Sequence, residues 1–143
     1  MDRFGYDKSM GLIHSEIVLR NASRADLGPI TTRCLVDAGS MHLCIPEHIA
    51  IQLGFDLVHS AEREATLANG KVMLCKYVGP IQLEFRNRSC FVGALVLGNQ
   101  VLLGAVPMED LDLVVVPSRL TVDVNPNSPN IPSSVVTRLC GGV

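Results

Sequence analysis

Hydrophobic positions recur in short bursts along the chain. In residues 12–19 (LIHSEIVL), Ile13, Ile17 and Leu19 alternate with His14, Glu16 and Val18, which predicts a strand with one buried face. Residues 21–29 (NASRADLGP) are rich in turn formers and predict a loop. Residues 30–36 (ITTRCLV) are β-branched and apolar, a second strand, and run directly into Asp37-Ala38-Gly39-Ser40. Residues 41–45 return to apolar character. Pro46 suits the first turn of a helix, where its missing N–H costs nothing. Ile45, Ile49 and Leu53 then predict a short helix over 46–53, with Gly54 as its C-terminal cap.

Residues 64–68 and 71–78 flank Asn69-Gly70. Both turn residues tolerate positive φ, so the pair predicts a tight hairpin, ended by Gly79-Pro80. In residues 81–85, Ile81, Leu83 and Phe85 alternate with Gln82 and Glu84. Turns at Asn87-Arg88 and Gly98-Asn99 bracket an apolar run over 90–97, and residues 101–103 lead to Gly104. Residues 107–111 (PMEDL) suit one or two helical turns, and 114–116 and 120–124 complete the apolar segments. From residue 125 the chain is rich in Asn, Pro and Ser, which predicts an extended tail over 125–143. Seven or eight short strands at intervals of about ten residues predict an all-β fold, a small barrel or sandwich, with one or two short helices. No long βαβ alternation and no internal repeat is present.

Composition narrows the function classes. The chain has 143 residues, one domain's worth, and is 48% hydrophobic and 18% charged, too apolar for disorder. Aromatics make up only 4%, with no Trp, so Val, Leu and Ile must fill the core. Twelve Lys+Arg against 14 Asp+Glu give a net charge of −2, without the basic footprint of a nucleic-acid binder. No apolar run approaches the ~18 residues of a membrane helix. The first residues lack the apolar stretch of a secretory signal, so a cytoplasmic protein is expected, with no membrane partner. Met10-Gly11 offers a second start that would leave residues 1–9 as a loose leader, and residues 1–10 are expected to be flexible. The cysteines, Cys34, Cys44, Cys75, Cys90 and Cys140, are odd in number and widely spaced, with no C-x-x-C pair, and read as reduced thiols.

The position that invites chemistry is Asp37. A carboxylate ending the apolar run Cys34-Leu35-Val36 is costly unless something uses it. Gly39 lets the chain turn tightly, and the Ser40 hydroxyl can orient the carboxylate. An ordinary Asx-turn explains the same residues. Asp26-Leu27-Gly28 has the same spacing in a polar loop without chemical context.

The wider pattern resembles the retropepsin-like (clan AA) single-domain aspartic proteases of bacterial type. Their active-site stretch is two apolar residues, Asp-Thr/Ser-Gly-Ala/Ser, a short strand and often a proline, matched by residues 35–46. Their second landmark, two apolar residues and Gly before a short helix, is matched by Leu102-Leu103-Gly104, 67 residues beyond Asp37. The Asn69-Gly70 hairpin lies between, where the family places its substrate-covering flap. The resemblance spans residues 11–124. It implies a small closed acid-protease barrel, aspartic endopeptidase activity, a peptide or protein substrate, and neither cofactor nor metal. It implies catalysis by Asp37, with Ala38, Gly39 and Ser40 setting its geometry. Leu67, Ala68, Asn69, Gly70, Lys71 and Val72 correspond to the flap, and Ala105 and Val106 to apolar pocket walls. The chemistry needs two carboxylates about 3 Å apart sharing one proton. A chain with one motif must find the second Asp37 in a second copy, which implies a homodimer.

Two positions depart from the pattern. Ala38 replaces a Thr or Ser whose hydroxyl braces the two aspartates across the dimer. Val116 precedes Pro117, where relatives often carry an acidic residue. Ala38 therefore keeps open an alternative, a weakly active or inactive peptide-binding or dimerisation module on the same fold. Other chemistries fare worse. His42, Cys44 and His48 face different ways and lack a fourth metal ligand. No cysteine sits beside an oriented base, and Ser40 lacks the G-x-S-x-G elbow. The ending Arg138-Leu139-Cys140-Gly141-Gly142-Val143 is similar to the tail of ubiquitin-like modifiers, but the upstream pattern is not theirs.

Overall fold

The computed structural model describes residues 12–141. The expected leader over residues 1–10, the domain start at Gly11, and Gly142 and Val143 lie outside the described residues.

The described residues form nine strands and two short helices. In chain order these are β1 (Ile13–Asn21), β2 (Ile30–Val36), β3 (Leu43–Ile45), α1 (Glu47–Gln52), β4 (Ala61–Thr66), β5 (Val72–Phe85), β6 (Arg88–Val96), β7 (Val101–Leu103), α2 (Ala105–Asp110), β8 (Leu113–Val116) and β9 (Thr121–Val124). The large sheet runs β1-β2-β7-β3-β6-β5-β4, and β1 also pairs with β5. That extra pairing closes six strands into a barrel and leaves β4 outside it, held by β5 alone. The fold is all-β, as the strand spacing predicts. Two of the barrel's pairings are parallel, β2 with β7 and β3 with β6. Strands β8 and β9 form a separate antiparallel ribbon.

Aliphatic side chains fill the barrel. Ile17, Leu19, Leu43, Ile45, Ile81, Leu83, Leu103 and Leu111 are at most 1% exposed, and Phe85 is the lone buried aromatic of the core cluster. Each contributes roughly 1.5–3 kcal/mol of transfer free energy. The ribbon joins this core through Leu113 and Val122.

Local boundaries differ from expectation where tertiary contacts decide them. Gly79-Pro80 does not end the hairpin strand. β5 continues through it, with a register shift between Val78 and Ile81. A Cβ on Gly79 would stand 3.2 Å from the Gly93 backbone, so glycine eases the close approach of β6 there. Pro46 caps α1 from just outside it, accepting from the Ile49 and Ala50 amides. Gly54, at φ +85°, ends α1 as predicted: its N–H reaches Ile51 O, and the Phe55 N–H reaches Ala50 O. These two bonds make a Schellman cap.

The expected turn at Asn87-Arg88 lies one residue earlier, with Arg86 in the left-handed region. Arg88 instead begins β6 and is buried, donating to the carbonyls of Leu111 (3.0 Å), Asp112 (2.7 Å) and Ser128. Its Nε has no partner among the described residues. Residues 125–141 form no helix or strand, but Asp112 ties their first part down. Its carboxylate accepts from Asn125 Nδ2 (3.1 Å), the Ser133 N–H (2.9 Å) and the Ser128 hydroxyl.

Candidate active site

Asp37 stands where β2 leaves the barrel. Its N–H donates to Leu103 O at 3.0 Å, extending the parallel β2–β7 ladder by one bond. The chain then reverses in a tight turn, with the Ser40 N–H bonded to Asp37 O at 3.1 Å. Both carboxylate oxygens meet a donor: Oδ1 the Gly39 N–H at 2.9 Å, Oδ2 the Ser40 hydroxyl at 3.1 Å. The first bond is an Asx-turn, so that ordinary motif is present, and it also aims the carboxylate. A Cβ on Gly39 would sit 3.1 Å from Oδ1, a tight contact that the carboxylate would have to shift to relieve. Ala38 is exposed at the turn. Asp26, by contrast, pairs with both ends of the Arg24 guanidinium on the open surface.

The second motif clamps this turn. Gly104 packs so tightly against residues 40–42 that an added Cβ would lie 2.7 Å from Ser40 O and from the Met41 carbonyl carbon, and closer still to His42 O. The helix after it starts at Ala105 rather than Pro107, and the reason lies in its first amides. Ala105 N–H donates to Ser40 O (2.7 Å) and Val106 N–H to Met41 O (2.8 Å), while Pro107 has none to satisfy. The orphan donors of α2 are thus spent on the Asp37 loop. Ala105 and Val106 hold it through their backbones and do not border the cleft beside Asp37, unlike the pocket walls expected of them, and Val106 is exposed.

Strands β4 and β5 form the predicted hairpin, with Thr66 opposite Val72. Its turn differs from the tight two-residue kind. Only Gly70 has positive φ (+86°), Gly70 N–H bonds Leu67 O (2.9 Å), and Leu67 N–H bonds Lys71 O (2.8 Å). Asn69 uses its side chain instead, accepting from the Lys71 N–H at 2.9 Å. Between this hairpin and the Asp37 loop lies a cleft of about 960 Å³. Asp37, Gly39 and Ser40 border it from the loop, Leu102 from β7, and Leu67 and Ala68 from the hairpin. Asn69, Gly70, Lys71 and Val72 lie beyond the cleft, at the tip and on the return strand. Leu103 is buried in the core.

Arg63 and His42 border the cleft and meet Tyr77 beside it, a grouping that carries no signal in the sequence. Arg63 of β4 stacks on the Tyr77 ring, its guanidinium carbon 3.9 Å from the ring centre. Its Nη1 lies 3.4 Å from His42 Nε2, and His42 meets Tyr77 edge-on at 6.2 Å. His48 is exposed on α1, on a different element from His42 and Cys44. Among the described residues no three His, Cys, Asp or Glu side chains gather as a metal site. Burial, with lesser contributions from Cys75 and Asp37, raises the Cys44 thiol above its ordinary pKa. Burial also pushes Cys34 up to about 11 and Cys90 to about 12. These thiols stay protonated at neutral pH, unlike a cysteine nucleophile.

No family model matches the chain, and no curated protein matches it in sequence. Among solved structures it is similar to a retropepsin-like aspartic protease from Rickettsia conorii, at 20% identity and a TM-score of 0.48, over 68% of this chain and 81% of that one.

Proposed function

We propose that the chain is a retropepsin-like aspartic endopeptidase of the bacterial single-domain type, working as a homodimer with Asp37 of each copy at the two-fold axis. The observation that carries this is the Asp37 carboxylate at a cleft edge, with both oxygens held by the turn that follows it and a β hairpin across the cleft. Two such carboxylates share one proton, because like charges so close do not both ionise. The ionised one takes a proton from a water, and the protonated one delivers its proton to the carbonyl or leaving nitrogen. Gly39 and Ser40 keep the carboxylate in place through the cycle. Leu67 and Ala68, with the hairpin tip, close over an extended peptide and exclude water. The peptide adds a strand beside the hairpin by backbone hydrogen bonds.

Peptide hydrolysis from acid to neutral pH, compared between the wild type and Asp37→Asn, tests the assignment. Turnover is expected to fall by about 10²–10⁴-fold in the variant, the usual contribution of an acid–base group. Undiminished activity in Asp37→Asn would overturn it. Ala38, an exposed methyl where a bracing hydroxyl is expected, favours a second reading, the same dimer as a peptide-binding module with little or no turnover.

A further inference from the structure

Arg63 has three features that an ordinary surface arginine lacks. It borders the same cleft as Asp37. Its guanidinium is held over Tyr77 at 3.9 Å and directed at His42 Nε2 at 3.4 Å. An arginine only donates, so His42 Nε2 accepts in this pair. Tyr77 is in turn seated across Gly93, where no larger residue fits beneath it. A guanidinium fixed by stacking loses little freedom when it binds a ligand.

The charge of Arg63 is also left without a carboxylate partner among the described residues. Among the described cleft residues Arg63 carries the only fixed positive charge, and the bordering carboxylates are Asp37 and Glu64. The neighbouring Glu62 pairs with Lys76 at 3.4 Å. One of its five N–H donors goes to His42, and the planar fork suits a carboxylate.

We infer that Arg63 is a specificity-determining residue that selects peptides carrying an Asp or Glu side chain at one position along the cleft. This rests on the peptide-cleaving reading of the Asp37 cleft. Selection arises because a carboxylate gains paired, charge-assisted bonds where an amide gains weaker ones.

The test uses end-blocked peptides in which Glu and Gln alternate at one position at a time, so that no free terminus supplies the carboxylate. The wild type is expected to prefer Glu over Gln at one position by about tenfold in kcat/KM, the usual size for a hydrogen bond to a charged group. Arg63→Gln is expected to bring that ratio near one, and Arg63→Lys to keep part of it. The ratio does not depend on how much protein is folded. If Arg63→Gln fails to fold, the wild-type ratio must still shrink as salt screens the ion pair. Fluorescence anisotropy of the same peptides on Asp37→Asn reads the subsite without turnover. Cleavage with no Glu preference, or a preference that persists in Arg63→Gln, overturns the role of Arg63 alone. Absence of cleavage with a Glu preference in binding that Arg63→Gln abolishes overturns the protease reading and supports the subsite. Neither cleavage nor preference overturns both.

Discussion

At the scale of single residues, the site depends on glycines that let chains touch. Gly104 is the clearest case, with the backbone of residues 40–42 inside the space a methyl would need. Gly104→Ala is expected to cost about 1–3 kcal/mol, the range for overpacking against atoms that cannot swing away. It should also loosen the Asp37 turn. Urea unfolding measures the first effect and amide exchange at Ala105 and Val106 the second; unchanged values for both would refute the clamp. Asp37, Gly39 and Ser40 could be picked out of the chain because a polar triad interrupts an apolar run. The clamp was legible only as a two-leucine-and-glycine landmark, since its bonds are backbone to backbone between distant segments. The grouping of Arg63, His42 and Tyr77 was not legible at all. They meet because β3, β6, β5 and β4 lie side by side.

At the scale of elements, turn residues marked most boundaries and tertiary contacts shifted several. Asn69-Gly70 placed the hairpin correctly, but Asn69 used its side chain rather than its φ. Gly79-Pro80 looked like an end and proved to be a register shift within one long strand. The tail after β9 shows how one side chain organises a segment without regular structure. Hydrogen bonds from Ser128 first, then from Asn125 and the Ser133 amide, hold the Asp112 carboxyl below the usual carboxylate range. An unfolded Asp titrates near pH ~3.9, so this contribution to stability is complete above that pH. It is lost as pH falls through the lower folded-state value. Urea unfolding from pH 6 to pH 2 should therefore show a shallower acid loss in Asp112→Ala than in the wild type, from a lower starting stability. Parallel curves would remove Asp112 from the account.

At the scale of the whole molecule, the barrel provides one Asp37 and one hairpin, and the proposed chemistry needs two carboxylates. Ala38 is the position where the proposed second copy would bear on this. In the proposed dimer, Ala38→Thr adds a hydroxyl to both copies. At about 0.5–1.5 kcal/mol per new hydrogen bond, the dimer should tighten about tenfold by sedimentation equilibrium. A rise in peptide turnover alongside would identify Ala38 as what weakens an enzyme. A tighter dimer without turnover would favour the binding module, and no change in either would place Ala38 away from the dimer axis. The sequence alone determined the all-β class, the aliphatic core and the Asp37 turn, because alternation, composition and turn chemistry are local. Only the tertiary structure decided that six strands close, that α2 begins where its amides can hold the Asp37 loop, and that Arg63 borders the cleft. Each of these depends on groups far apart in sequence satisfying one another's hydrogen bonds and packing, which no local pattern records.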